Sequence, residues 1–225
     1  MTPTVRPLRH DPSREEAELR AYLGDAYDHD RLVRWREQLE DEARALGDEQ
    51  RLYRESEAYL YNLTAFAMTG TKLPYLRELL RVVPPGARVL DVGCGIGSDG
   101  LMLLEAGYEV EFADFDNPST RYLRWRLERR GLAAPVHDLD AGPLPGRFHA
   151  AYAFDVLEHV DDPLGLLGAM EAVARVVCVN LVGDDDSLLH HRELPVGAIA
   201  ARARERGLIV DRPLHDGRVR LLLYG

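Results

Sequence analysis

Three glycines alternate with other residues in Val89-Leu90-Asp91-Val92-Gly93-Cys94-Gly95-Ile96-Gly97, directly behind a β-rich run. Glycines at that spacing permit a tight strand-to-helix turn and let a ligand lie against bare main chain. Asp114 closes the next apolar run, seventeen residues after Gly97. A carboxylate there can accept hydrogen bonds from both ribose hydroxyls of an adenosine. Asp138 closes a third run, a place to meet an adenine edge. On this segment alone a second chemistry competes. Gly95-Ile-Gly97-Ser-Asp-Gly100 also satisfies the dinucleotide pattern G-x-G-x-x-G, and Asp114 lies at a compatible distance. No Walker lysine or phosphate-binding arginine stands beside the glycines, which favours a ligand without a pyrophosphate.

Further polar residues fall where ligands of parallel sheets sit, at the carboxyl ends of strands. Asp155, Glu158 and His159 follow a fourth apolar run, and Asn180 ends a fifth. His159 has the titration range of a general base, or it is a structural histidine. Asn180 suits a substrate amide or carboxylate, or it bonds a loop. The run Asp184-Asp185-Asp186-Ser187-Leu188-Leu189-His190-His191 is oxygen-rich, as Mg²⁺ sites are. Its consecutive residues point in different directions and no ligand spacing repeats, so it reads as a solvated loop and no metal is expected. Tyr53, Tyr59, Tyr61, Asn62, Thr64 and Lys72 form an aromatic and polar stretch before the glycines. Asp99 reads as a first-turn acid that complements a helix N-terminus.

The elements that must position these groups are legible in outline. Residues 1–12 hold three prolines and no period, and read as a loose arm. Residues 13–69 lack proline and carry helical patterns, clearest over 28–46 and 49–68. A short helix over 73–81 stops at Pro84-Pro85-Gly86. Strands are predicted at 87–92, 108–114, 134–138, 147–155 and 175–182, with helices at 97–107, 118–130, 163–174 and 195–206 between and after them. Alternation of this kind implies parallel strands with right-handed crossovers. Two final strands, 208–213 and 218–225, have too short a link for a crossover and should pair antiparallel. The helix Thr120–Arg130 carries five arginines against one glutamate, which reads as a crossover with its arginines in water.

The chain has 225 residues, enough for one α/β domain and a modest addition. An apolar fraction of 46% is too high for a disordered chain. A net charge of −10 disfavours general nucleic-acid binding, which needs cationic surface. Residues 11–60 alone carry fifteen Asp/Glu against eight Lys/Arg. Two cysteines make no disulfide framework, so a reducing, cytoplasmic setting is expected. No apolar run reaches the roughly 18 residues of a membrane span, and the first residues lack the apolar core of a secretory signal.

The longer pattern D-x-G-x-G-x-G, with Asp91 leading Gly93, Gly95 and Gly97, resembles motif I of the class I S-adenosylmethionine (SAM) methyltransferases. Phe154-Asp155-Val156-Leu157-Glu158-His159-Val160 is similar to the signature that follows the fourth strand in that superfamily. The resemblance covers about residues 72–225, in order and at normal spacing. It implies an α/β, Rossmann-like seven-stranded sheet, mostly parallel with an antiparallel last strand, and an N-terminal helical lid. Residues 1–70 would be the helical arm and lid, and 71–225 the SAM-binding domain. By the resemblance, Gly93, Gly95 and Gly97 line the methionine portion of SAM and Asp91 serves its cationic end. Asp114 takes the ribose, Phe115 flanks the adenine, and Asp138 with the backbone of Leu139 reads the adenine amine. Phe154 and Asp155 close the floor.

Methyl transfer from SAM is an in-line displacement, so the protein mainly aligns the acceptor and removes water. A base is needed only for a protonated, weakly acidic nucleophile. His159, Asn180 and Tyr61 are the candidates on the acceptor side. Tyr61 or Tyr59 would stack on the sulfonium or bond its carboxylate. The implied activity is methyl transfer from the cosubstrate SAM to a small-molecule acceptor, with no nucleic acid or membrane as partner. One alternative consumes SAM without methyl transfer, by aminocarboxypropyl chemistry or by cyclisation of the methionine arm. A non-catalytic SAM-binding subunit is the other.

Overall fold

The computed structural model describes residues 5–47, 49–182 and 194–225. Seven strands, β1 (Arg88–Val92), β2 (Glu109–Asp114), β3 (Val136–Asp138), β4 (Phe148–Ala153), β5 (Ala174–Val182), β6 (Leu208–Leu214) and β7 (Val219–Tyr224), form one sheet ordered β3-β2-β1-β4-β5-β7-β6. The central pairings are parallel, with Val89 opposite Val110 on one side and Ala150 on the other. β7 runs antiparallel to both β5 and β6, as the short link at His215–Gly217 requires. The order reverses between β1 and β4, so a crevice opens at the carboxyl ends of these strands.

The five helices that precede the sheet are α1 (Pro12–Leu23), α2 (His29–Val33), α3 (Trp35–Leu46), α4 (Glu49–Glu55) and α5 (Ala58–Thr69). α6 (Leu73–Leu80) leads into β1, and α7 (Ser98–Ala106), α8 (Pro118–Arg129), α9 (Pro163–Val173) and α10 (Val196–Glu205) cover the sheet faces. Two expectations change here. The helix expected over 49–68 breaks at Ser56-Glu57, where the Ser56 hydroxyl accepts the Tyr59 N–H at 3.0 Å and starts α5 afresh. Residues 5–11 are anchored, not loose. Arg6 N–H donates to the Ala106 carbonyl at 2.9 Å, and Val5 and Leu8 pack on the core.

Successive residues of β1 face opposite layers. Val89 joins Leu101, Phe112 and Leu123, whereas Leu90 and Val92 join Leu167, Met170 and Ile199. A third cluster gathers Leu19, Leu32, Leu60 and Tyr61 from the leading helices onto Ile96 of the glycine turn and Tyr122 of α8. Each such leucine contributes roughly 1.5–3 kcal/mol by burial, so the leading helices are held directly over the glycines.

An ionic joint fixes the same contact. Arg126 is fully buried and donates to Glu18 at 2.8 Å, Glu15 at 2.6 Å, Ser98 at 2.9 Å and the Ile96 carbonyl at 2.8 Å. Arg130 adds a bidentate pair with Glu18. These two arginines of the Thr120–Arg130 stretch therefore face protein and not water. Among the described residues, no helix is long and apolar enough to cross a membrane.

Candidate active site

A cavity of about 1250 Å³ lies at the carboxyl ends of β1, β2 and β4, beneath the leading helices. The glycine turn forms one wall. Gly93 and Gly97 have φ of 68° and 72°. A Cβ on Gly93 would lie 2.5 Å from Val156 Cγ2, and one on Gly97 2.3 Å from Leu123 Cδ1. The backbone sense and the close approach both require glycine.

Asp114 organises this turn. Its Oδ2 accepts the Gly95 N–H and its Oδ1 the Phe115 N–H, each at 2.7 Å. Burial pushes its carboxyl up to about 6, against the pull of those two donors. Phe115 and Leu139 line the cavity beside it. The Leu139 N–H already donates to the Asp114 carbonyl at 3.0 Å, so a base edge would meet the Leu139 carbonyl. Asp138 stands just behind this wall, one oxygen accepting the Asp140 N–H at 3.0 Å.

The opposite end is a nest of acids around one ammonium. Lys72 Nζ donates to the Phe154 carbonyl at 2.9 Å and lies 3.3 Å from Asp155 Oδ2 and 4.0 Å from Asp99 Oδ2. Burial disfavours its charge, but Asp155, Asp99 and Asp91 outweigh that and raise its pKa. Asp91 is 4% exposed; burial first, then the charge of Asp99, push its carboxyl up to about 8. Asp99 is pushed up to about 6, again chiefly by burial. Asp99 and Asp155 line the cavity with Lys72, and Asp91 is buried outside that lining; acids in excess of the one lysine make a site that gains from an incoming cation.

Asp155 adopts φ of 57°, uncommon for a residue with a side chain. Asn180 is the bracket that imposes it. The Asn180 Oδ1 accepts the Asp155 N–H at 2.8 Å, and its Nδ2 donates to Asp155 Oδ1 at 2.6 Å. Asn180 is fully buried and outside the cavity wall, so the expected substrate contact becomes a positioning contact. Phe154 closes the floor, its ring against Tyr75 and Tyr152.

The third wall carries the proton-transfer candidates. His159 lines the cavity, with Nδ1 2.8 Å from the Tyr53 hydroxyl. Glu158 is 2% exposed, its Oε2 has no hydrogen-bond partner among the described residues, and burial pushes its carboxyl up to about 6. Tyr59 and Asn62 line the same space, but Tyr61 does not. Tyr61 is 1% exposed, its hydroxyl accepts the Asp28 N–H at 2.9 Å, and its ring stacks on Tyr27. The expected contact of Tyr61 with a ligand is thus replaced by a role in the helical packing, and Tyr53 and Tyr59 take the cavity positions. The Asp184–His191 run lies outside the described residues.

Sequence reasoning missed Lys72 as the centre of the acid nest and gave Asp99 only a capping role. Lys72 sits 82 positions from Phe154, and no local pattern joins them. Only the sheet order, which brings the start of α6 to the end of β4, could have found the pair.

The sheet order, the antiparallel final strand and the glycine turn define a Rossmann-like fold of the class I methyltransferase type. Residues 66–194 match the methyltransferase-domain family, and the chain belongs to it. A ubiquinone biosynthesis O-methyltransferase from Xanthomonas campestris pv. campestris (strain B100) is 32% identical over 114 residues, which is 48% of this chain and 46% of the relative. Its counterpart from Bordetella parapertussis is 35% identical over 95 residues, 40% and 39% of the two chains. The matched stretch thus spans less than half the length of these relatives. Among solved structures, magnesium protoporphyrin IX methyltransferase from Synechocystis PCC 6803 with bound SAH superposes with a TM-score of 0.59 at 15% identity, covering 77% of this chain and 90% of the other. Mitomycin 7-O-methyltransferase gives 0.58 at 21% identity, covering 96% and 74%.

Proposed function

We propose that this protein transfers a methyl group from SAM to a small-molecule acceptor. The observation that carries the reading is the pairing of two unlike ends in one cavity. A glycine turn gripped by Asp114 suits a ribose, and Asp99 and Asp155, with Asp91 buried outside the lining, suit a sulfonium and an ammonium. In this reading Gly93, Gly95 and Gly97 lie along the methionine arm and Phe115 flanks the adenine. Leu139 faces the base edge, and Asp138 backs it from outside the lining. Residues 1–70 act as the lid and 71–225 as the cosubstrate-binding domain. His159, steadied by Tyr53, and the buried Glu158 face the acceptor, where either can receive a proton as the acceptor atom attacks the methyl carbon. The cavity exceeds the usual size of a single-ligand pocket, which favours two-substrate transfer over cyclisation of SAM alone. The acidic net charge and the aromatic lining of Tyr53, Tyr59 and Phe66 favour a small cytoplasmic acceptor over a nucleic acid or a membrane.

Equilibrium dialysis against SAM, SAH and NADH tests the berth, and incubation with methyl-labelled SAM and a panel of phenols, amines and thiols tests the transfer. Binding of NADH but not SAM would refute the proposal. Methylthioadenosine formed from SAM without any acceptor would replace it with cyclisation.

A further inference from the structure

α4 crosses the cavity mouth and uses two adjacent side chains in opposite directions. Tyr53 reaches His159 on the acceptor side at 2.8 Å. Arg54 reaches the other side, where its Nη1 and Nη2 donate to Asp140 Oδ2 and Oδ1 at 2.5 and 3.1 Å. The same guanidinium lies 4.2 Å above the centroid of Phe115. Phe115 lines the cavity, and the guanidinium covers one face of its ring.

We infer that Arg54 is a positioning residue for the adenosine end of the site: held by Asp140, its planar fork fixes the Phe115 ring against which the adenine lies. The inference rests on the SAM-binding reading above. Four features support it. A guanidinium over an aromatic face is attracted by the ring quadrupole and fixes its tilt. The bidentate pair fixes the guanidinium plane in turn. Arg54 and Asp140 are 40% and 51% exposed, so the pair adds little to stability and its geometry is the more consequential property. Asp140 also follows directly on Asp138 and Leu139, so the clasp ties the lid to the segment that faces the base edge. SAH in place should therefore leave slowly, because α4 must release Phe115 before the nucleoside can tilt out.

The test is SAH dissociation from the full chain, measured by surface plasmon resonance, with calorimetric affinity alongside. Arg54→Met keeps the aliphatic stem and removes the fork. It should speed SAH release about three- to tenfold with little change in association. Arg54→Lys should behave like Arg54→Met, because an ammonium cannot hold both Asp140 oxygens and stack. Asp140→Asn should give a smaller effect in the same direction. In a Phe115→Leu background the Arg54→Met change should do nothing further, which a general packing defect would not reproduce. Unchanged SAH release in Arg54→Met, or an undiminished effect in the Phe115→Leu background, overturns the inference and leaves the SAM reading standing. Failure of the unaltered protein to bind SAH sinks both.

Discussion

Asp91 should be neutral in the empty protein near pH 7 and ionise when a cationic cosubstrate arrives. Its carboxyl is buried, and burial with the nearby charge of Asp99 moves it from 3.8 to about 8. An acid with that value is about nine-tenths protonated at pH 7. The displacement corresponds to on the order of 5 kcal/mol in favour of the neutral form. A sulfonium or ammonium at close range offsets this by stabilising the carboxylate. SAM binding at pH 7 should therefore release up to about one proton, and SAH, which lacks the sulfonium charge, should release fewer. Asp99 and Asp114, pushed only to about 6, are mostly ionised already at that pH and contribute little to the signal. Titration calorimetry in phosphate and in Tris reads the release as a difference in enthalpy. SAM affinity should rise by up to about tenfold per pH unit from pH 6 to 8, then level off. Asp91→Asn should abolish the release and weaken SAM more than SAH. The stability sign follows from the raised pKa. The neutral form favours folding in acid, and that contribution fades as pH rises through about 8. Asp91→Asn should accordingly be the more stable protein at pH 9, with the gap closing at pH 5. Equal enthalpies in the two buffers, or a release that persists in Asp91→Asn, would refute the reasoning.

Asp114→Ala should weaken SAM and SAH alike by about 1–3 kcal/mol, read by calorimetry, because the proposed ribose acceptor is lost and the Gly95 and Phe115 N–H groups lose theirs with it. Gly97→Ala should destabilise the fold by about 1–3 kcal/mol in urea melts, since its Cβ would overlap Leu123. Arg126→Met should cost about 3–5 kcal/mol, because Glu15, Glu18 and the Ile96 carbonyl would all lose a buried donor and Arg130 alone would remain to both acids. Adding Glu15→Gln, with Glu18 left ionised for Arg130, should restore part of that stability, and limited proteolysis should find α1 less exposed than in the single variant.

What was legible in the sequence was what depends on neighbours along the chain. Strand, glycine turn and helix from Arg88 to Ala106 follow from an apolar run, positive-φ glycines and helix spacing, all within twenty residues. The antiparallel end of the sheet follows from a link too short to cross over. The misreadings share another cause. Arg126 looks like a water-facing arginine because its partners, Glu15 and Glu18, lie more than a hundred positions earlier. Asn180 looks like a strand-end ligand until Asp155 takes both ends of its amide.

Tyr61 and Tyr53 make the same point within a single stretch. Both are tyrosines on leading helices, and composition gives no reason to choose between them. The break at Ser56-Glu57 decides it, because it starts a new helix with its own phase. Tyr61 then turns inward onto Tyr27, and Tyr53, on the far side of the break, points to His159. A continuous helix over 49–68 would have kept one phase for both tyrosines. The hydroxyl of Ser56, which begins α5, is thus what separates a packing tyrosine from one that faces the acceptor. Ser56→Ala should disturb the Tyr53–His159 contact more than it disturbs the Tyr61 cluster, because full burial holds the cluster while Tyr53 is carried on the seven-residue α4.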